Sequence, residues 1–173
     1  PLSALAINPD GTRLAKGYEA EPLVEVQDMV NDQLLFTLET AGQPITSLLF
    51  SPDGRLLVTQ SEVANRPMVE VWDVTRGDLL ASFPVYRFAF RPDGRYLALS
   101  LIQTESEPPA IARWDTTTFE VAQRLEQLEL VGFGPDGTLL AAQQNTEGQL
   151  VLGWWDSDQS ELLRQFSSFD GPS

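Results

Sequence analysis

The sequence predicts an all-β protein made of four copies of one unit, each about forty residues long and each holding four short antiparallel strands. Three observations predict it. Apolar residues alternate or run on for five to seven positions between clusters of Pro, Asp, Gly, Asn and Ser, the pattern of half-buried strands joined by tight turns, and no stretch keeps a helical period. The tripeptide Pro-Asp-Gly recurs at Pro9, Pro52, Pro92 and Pro135, spaced 43, 40 and 43 residues apart. An aspartate closing the third strand of each unit recurs at Asp28, Asp73, Asp115 and Asp156, spaced 45, 42 and 41.

In chain order, the first unit offers strands at Leu2 to Ile7, Arg13 to Tyr18, Leu23 to Gln27 and Gln33 to Leu38. The second offers Ile45 to Phe50, Arg55 to Ser61, Met68 to Val74 and Asp78 to Phe83, and shows the pattern most fully. The third offers Val85 to Phe90, Arg95 to Gln103, Ile111 to Asp115 and Glu120 to Leu125; the fourth offers Leu128 to Phe133, Thr138 to Gln143, Leu150 to Asp156 and Glu161 to Phe166. Alignment of the first strands stacks Leu5, Leu48, Phe88 and Val131 in one column and Ile7, Phe50, Phe90 and Phe133 two residues on. Both columns share a strand face, which is expected to pack on a neighbouring unit. The last strands repeat the device with Leu38, Phe83, Leu125 and Phe166. In the turns, Pro presets φ, Asp bonds locally and Gly accepts a positive φ, so the four aspartates there read as structural. Trp72, Trp114 and Trp155 read as packing aromatics, while Trp154 must point to the opposite face from Trp155.

These markers resemble the WD-repeat β-propeller family, most closely in the second unit (VWD, ending at Asp73), clearly in the third (ARWD) and fourth (GWWD), and least in the first, where Gln27-Asp28 takes the Trp-Asp place. The resemblance implies a β-propeller segment of four blades, approximately residues 1–39, 40–83, 84–126 and 127–169, forming part of a larger ring of seven or eight blades. Many blades of the family carry a histidine before the first strand, bonded to a Ser or Thr and to the tryptophan. This chain has no histidine, and Thr40-Ala41-Gly42-Gln43 occupies that connection, so the network is not expected in its familiar version.

Composition narrows function. With 42% hydrophobic residues in 173, the chain can bury a core. It has no cysteine and no histidine, hence no disulfide, no thiolate nucleophile and neither of the commonest zinc ligands. No cofactor or metal and no catalytic residue is expected. No apolar run approaches a membrane span and no signal peptide is evident, so a cytoplasmic location and no membrane partner are expected. A formal charge of -14 argues against nucleic acid, whose phosphates need clustered positive charge.

The remaining candidates are interaction residues. Connections between second and third strands carry Glu19, Glu21, Glu62, Glu105, Glu107 and Glu147, which read either as an acidic rim for a basic protein partner or as ordinary solvated loop charge. Ser3, Thr46, Tyr86 with Arg87, and Glu129 start the first strands on the same side. Tyr86 and Arg87 are the best contact pair by residue type. Asn65 and Arg66 are expected at the tip of the longest clear loop. The expected function is a non-catalytic protein-interaction or sensor scaffold, with a propeller that gates or recognises substrate for an attached peptidase-like or other hydrolase as the alternative. Four blades are not expected to close alone. The apolar faces beside Leu5 and Ile7 and beside Val131 and Phe133 then call for further blades, from a longer parent chain, a second copy or another subunit.

Overall fold

The computed structural model describes residues 1–101, 108–145, 147, 149–159 and 161–169. Among them are sixteen strands in four antiparallel sheets, and no helix long and apolar enough to cross a membrane. The first sheet holds β1 (Leu2–Ile7), β2 (Arg13–Tyr18), β3 (Leu23–Asp28) and β4 (Gln33–Glu39); the second holds β5 (Ile45–Phe50), β6 (Leu56–Val63), β7 (Arg66–Asp73) and β8 (Asp78–Phe83). The third holds β9 (Val85–Phe90), β10 (Tyr96–Leu101), β11 (Ala110–Asp115) and β12 (Val121–Glu126); the fourth holds β13 (Glu129–Phe133), β14 (Leu139–Gln144), β15 (Leu150–Trp155) and β16 (Leu162–Phe169). In every sheet the strands pair in sequence order, so each is a meander whose hairpins are set by local turns. The chain forms two compact units, residues 1–84 with the first two sheets and residues 85–173 with the last two.

The turns explain the regularity. In each Pro-Asp-Gly turn the glycine has a positive φ of 70° to 83°, and its N–H closes the turn on the carbonyl of Asn8, Ser51, Arg91 or Gly134. The aspartate accepts the N–H two residues on, from Thr12 (2.8 Å), Arg55 (3.1 Å), Arg95 (3.0 Å) or Thr138 (3.1 Å). The aspartates that end the third strands cap the next turn in the same way. Asp28 accepts the N–H of Val30 at 2.7 Å, Asp73 that of Thr75 at 2.8 Å, Asp115 that of Thr117 at 2.7 Å and Asp156 that of Asp158 at 2.7 Å. A carboxylate that accepts a hydrogen bond from the N–H two residues on is stabilised where it stands, which fixes the turn and with it the strand register.

Within residues 1–84, the core lies between the first two sheets. Ala4 and Ala6 of β1, with buried Ala15, Val24, Val26 and Leu38, receive Ile45, Leu48, Phe50, Leu57 and Trp72 of the second sheet. Gly17 permits the approach, because a Cβ there would stand 2.6 Å from the Ile45 side chain. Within residues 85–173, Ala98, Ile111 and Leu125, with half-buried Ala89, pack in one cluster with Leu130, Leu139, Ala141, Trp155 and half-buried Phe133. The first-strand columns thus behave as expected in the second sheet, where Leu48 and Phe50 are 9% and 6% exposed. They do not in the first, where Leu5 and Ile7 are 59% and 61% exposed. In the fourth, a bulge between Leu130 and Gly132 turns Val131 outward and gives its place to Leu130, while Phe133 faces the core, so this side is not the open apolar face expected. Phe166 is exposed rather than buried, since β16 shifts register twice against β15.

The histidine-free polar network survives in part. Trp72 Nε1 donates to Thr59 Oγ1 at 3.1 Å, both buried. In β14 the residue matching Thr59 is Ala141, two past the partner of Trp155, and Trp155 Nε1 has no acceptor. Thr59→Val is expected to cost about 1–3 kcal/mol by stranding the Trp72 donor, and Ala141→Thr to gain about 1 kcal/mol by supplying Trp155 with one. Urea titrations of both variants check this, and an Ala141→Thr that destabilises would mean the site is too tight for the hydroxyl.

Candidate functional site

The described residues among the expected interaction set lie at the ends of the sheets where first strands begin and second strands end. In residues 1–84, Thr46 is exposed and donates Oγ1 to the Gln60 carbonyl at 3.2 Å. It sits outside the β5–β6 ladder at a bulge between Ile45 and Ser47. Ser3 occupies the equivalent bulge between Leu2 and Ala4. Glu62, Asn65 and Arg66 are exposed near that end, but not on a long loop. β6 and β7 run on until Glu62 faces Pro67 and Val63 faces Arg66, joined by a two-residue turn in which Ala64 and Asn65 have φ of 50° and 61°. Two consecutive positive φ values give the turn the twist that antiparallel strands need, and the strands therefore continue where the sequence suggested a loop. Pro67 is tolerated because it lies beyond Val69, where pairing of β7 with β8 ends.

In residues 85–173, Tyr86 is 60% exposed at a third bulge, where Leu101 pairs with Val85 and Ser100 with Arg87. A residue outside the ladder breaks the strict alternation of faces, so Tyr86 and its neighbour Arg87 are both exposed. Glu129 opens β13 opposite Ala142, also exposed. Glu147 lies in the β14–β15 connection, its N–H bonded to Asn145 Oδ1 at 3.0 Å. Glu105 and Glu107 lie outside the described residues. Thr46 and Glu62 thus share one end of the second sheet, as Tyr86 and Arg87 share one end of β9.

Two buried charges were not singled out from sequence. Arg113 is 6% exposed; its guanidinium donates to the Ser157 carbonyl, pairs with Asp158 at 3.0 Å and lies 4.3 Å from the centroid of the Tyr96 ring. Arg91 reaches the same Asp158 at 3.4 Å, so two guanidinium groups from the third sheet hold one turn of the fourth. The available signal was an arginine in the apolar strand AIARWD. Glu70 is 3% exposed and accepts the Ala41 N–H at 3.0 Å; burial raises its carboxyl above the usual range, and that bond opposes the rise only in part. It holds the connection where the family histidine would stand.

Seven of the turn aspartates, Asp10, Asp28, Asp53, Asp73, Asp115, Asp136 and Asp156, titrate the other way. The Thr12 and Thr138 hydroxyls, followed by the N–H groups of the same residues, lower Asp10 and Asp136. The Asn31 amide lowers Asp28, and backbone N–H groups lower Asp115 and Asp156. At Asp53 and Asp73 partial burial pushes upward but is outweighed by the Ser51 and Thr75 hydrogen bonds. Each is already bonded within its own turn. The polar cleft between the first two such turns, lined by Asp10, Arg13, Asp53 and Arg55, is tied up similarly, with Arg13 donating to the Val74 carbonyl at 3.1 Å. Among the described residues no group of three acidic side chains converges as a metal site.

Four-stranded meanders repeated at this period define blades of the propeller type, and the chain falls in that class. The family model "WD domain, G-beta repeat" matches residues 32–62, across the boundary between the first two sheets. Among curated proteins, the chain is similar to periodic tryptophan protein 2 homolog of Neurospora crassa, 29% identical over 103 residues, which covers 58% of this chain and 12% of that protein. It is also similar to periodic tryptophan protein 2 of Saccharomyces cerevisiae, 30% identical over 83 residues, covering 48% of this chain and 9% of that protein. The chain therefore spans about a tenth of the length of these relatives. Among solved structures, it resembles dihydro-heme d1 dehydrogenase NirN (TM-score 0.71, 21% identity, 99% of this chain and 38% of that one). It also resembles Kuenenia stuttgartiensis hydrazine synthase (TM-score 0.61, 17% identity, 91% and 52%). At those identities the likeness is one of fold.

The opposed shifts give a pH test. For those seven aspartates the folded pKa is below the unfolded one, so their stabilisation is complete above about pH 4 and is lost as pH falls through the folded values. For Glu70 the folded pKa is raised, so its contribution is complete below the unfolded pKa and is lost as pH rises through the folded one. Glu70→Gln should therefore melt higher than the unsubstituted chain at pH 7, with the gap closing as pH falls toward about 4. Melting curves at both pH values decide it, and a gap that stays constant would mean that Glu70 pays no charge penalty.

Proposed function

We propose that the chain is a non-catalytic protein-interaction module whose contacts are made where the first strands begin. The observation that carries the reading is the bulge that sets Ser3, Thr46 and Tyr86 outside the ladders of the first three sheets and leaves Tyr86 and Arg87 exposed side by side. WD-repeat proteins generally mediate protein–protein interaction, and the WD match to residues 32–62 supports the class. The partner proposed is basic, on the strength of the net charge of -14 and of exposed Glu19, Glu21, Glu62, Glu129 and Glu147. An electrostatic contact of this kind speeds association and fixes orientation more than it adds affinity. The alternative, a recognition domain carried by an enzyme, is favoured by one observation, that two chains of similar fold are named for enzymes.

Two measurements test the first reading. Titration of the chain with Lys- and Arg-rich peptides is expected to show binding that weakens steeply as ionic strength passes about 0.15 M, where exposed charges are screened beyond about 8 Å. The double substitution Tyr86→Ala, Arg87→Ala is expected to weaken that binding by about 2 kcal/mol with the melting curve unchanged. Salt-indifferent binding rejects the acidic contact. Loss of fold together with binding assigns the pair a structural role.

A further inference from the structure

We propose that Glu70 works the connection of residues 40–44 as a proton-controlled latch, which closes over the second sheet when the carboxyl is neutral and lifts when it is ionised. Along β6 and β7, the residues Leu57, Thr59 and Ser61 and their partners Trp72, Glu70 and Met68 share one face. Leu57 and Trp72 pack there against the first sheet, so the face is enclosed. Three polar residues are shut in with them: Thr59, Ser61 and Glu70 are 0%, 0% and 3% exposed. Thr59 receives the Trp72 indole N–H. Ser61 Oγ has no partner, and the Glu70 carboxyl accepts its hydrogen bond from the Ala41 N–H at 3.0 Å.

The connection itself is the cover. The Thr40 N–H is fixed on the Pro22 carbonyl at 2.8 Å, and Gly42 lies so close to β6 that a Cβ there would meet the Glu62 carbonyl and stand 2.8 Å from Val63 Cγ2. Between these two points Ala41 is exposed to solvent on one side and bonded to the buried carboxyl on the other. Among the described residues, no charged or titratable group faces Glu70 from the elements packed against it. β6 offers Thr59 and Ser61, β5 offers Ile45 and β8 offers Ser82, while the first sheet meets the face with Ala15, Val24, Val26 and Leu38. Burial therefore raises the carboxyl, and the Ala41 N–H alone opposes it. The closed form thus holds an orphan hydroxyl and, once the acid ionises, a buried charge with no cation. A lifted connection admits water to both. Because the carboxyl ionises more readily in the open form than in the closed one, rising pH favours opening. The connection touches the end of β6 where Glu62 and Thr46 stand, so opening reshapes the proposed contact end, and that consequence alone rests on the interaction reading.

Amide hydrogen exchange of the chain, followed by NMR from about pH 4 to about pH 8 and corrected for the intrinsic pH dependence of each rate, tests the latch. It needs no partner, so its failure and that of the interaction reading are separable. The Ala41 N–H and the Trp72 indole N–H are expected to lose protection by up to about tenfold per pH unit upward from about pH 4, and to level off once the closed form ionises as well. The backbone amides of β6 and β7 should hold theirs. Glu70→Gln keeps an acceptor for the Ala41 N–H and has no proton to titrate. Both protections should then stay flat across the range and exceed those of the unsubstituted chain at the alkaline end. Flat profiles in the unsubstituted chain overturn the proposal. So does a loss that Glu70→Gln shares, or one that the β6 and β7 amides join, since that is unfolding of the sheet rather than a lifted connection.

Discussion

The constraint on which the rest depends is the fit of a bulky column to a small one between consecutive sheets. Each meander is hydrophobic on both faces near its first strand, and a single four-stranded sheet cannot bury two faces by itself. Leu48 and Phe50 are removed from water because Ala4, Ala6 and Gly17 let the backbones come close, and half-buried Phe133 and Ala89 pack against one cluster in the second unit. Stability in such an array is a sum of unit and neighbour terms. In the first sheet Gln27 stands where the second has Trp72, Lys16 where it has Thr59, and Glu25 at the same step as Glu70. The Tyr18 hydroxyl donates to Glu25 at 2.7 Å. The outer part of that face is wet and satisfied, and the apolar remainder is confined to Leu2, Leu5 and Ile7 along the first strand.

A second level of order comes from the turns. Eight aspartates, two per unit, fix the reversals on either side of the second and third strands, and each does so with its own next residues rather than with distant ones. The geometry of a blade is therefore encoded locally, which is why the units keep their shape while the residues between them diverge. Where the local code is incomplete, tertiary groups replace it. Glu70 anchors the connection that lacks histidine, and Arg113 with Arg91 grips the turn that begins at Asp156. The acidic composition of the chain is thus only partly available to a partner, because the turn aspartates are committed to their own backbones.

The sequence by itself determined the sixteen strands, the antiparallel meander and the role of the aspartates, because these depend on alternation and on hydrogen bonds spanning two or three residues. It placed Thr46, Tyr86 and Arg87 at the start of the first strands, where bulges in the structure leave them exposed. The tertiary structure decided what alternation could not. The hairpin at Ala64-Asn65 replaced a loop because two positive φ values allowed the ladder to continue. The bulge at Val131 exchanged it with Leu130, since one extra residue reverses the faces of everything beyond it. Whether a given column is buried or exposed was likewise decided by what stands opposite: Leu48 and Leu5 are the same residue at the same step of the repeat, and only the presence of Ala4 and Ala6 against one of them separates 9% from 59% exposure.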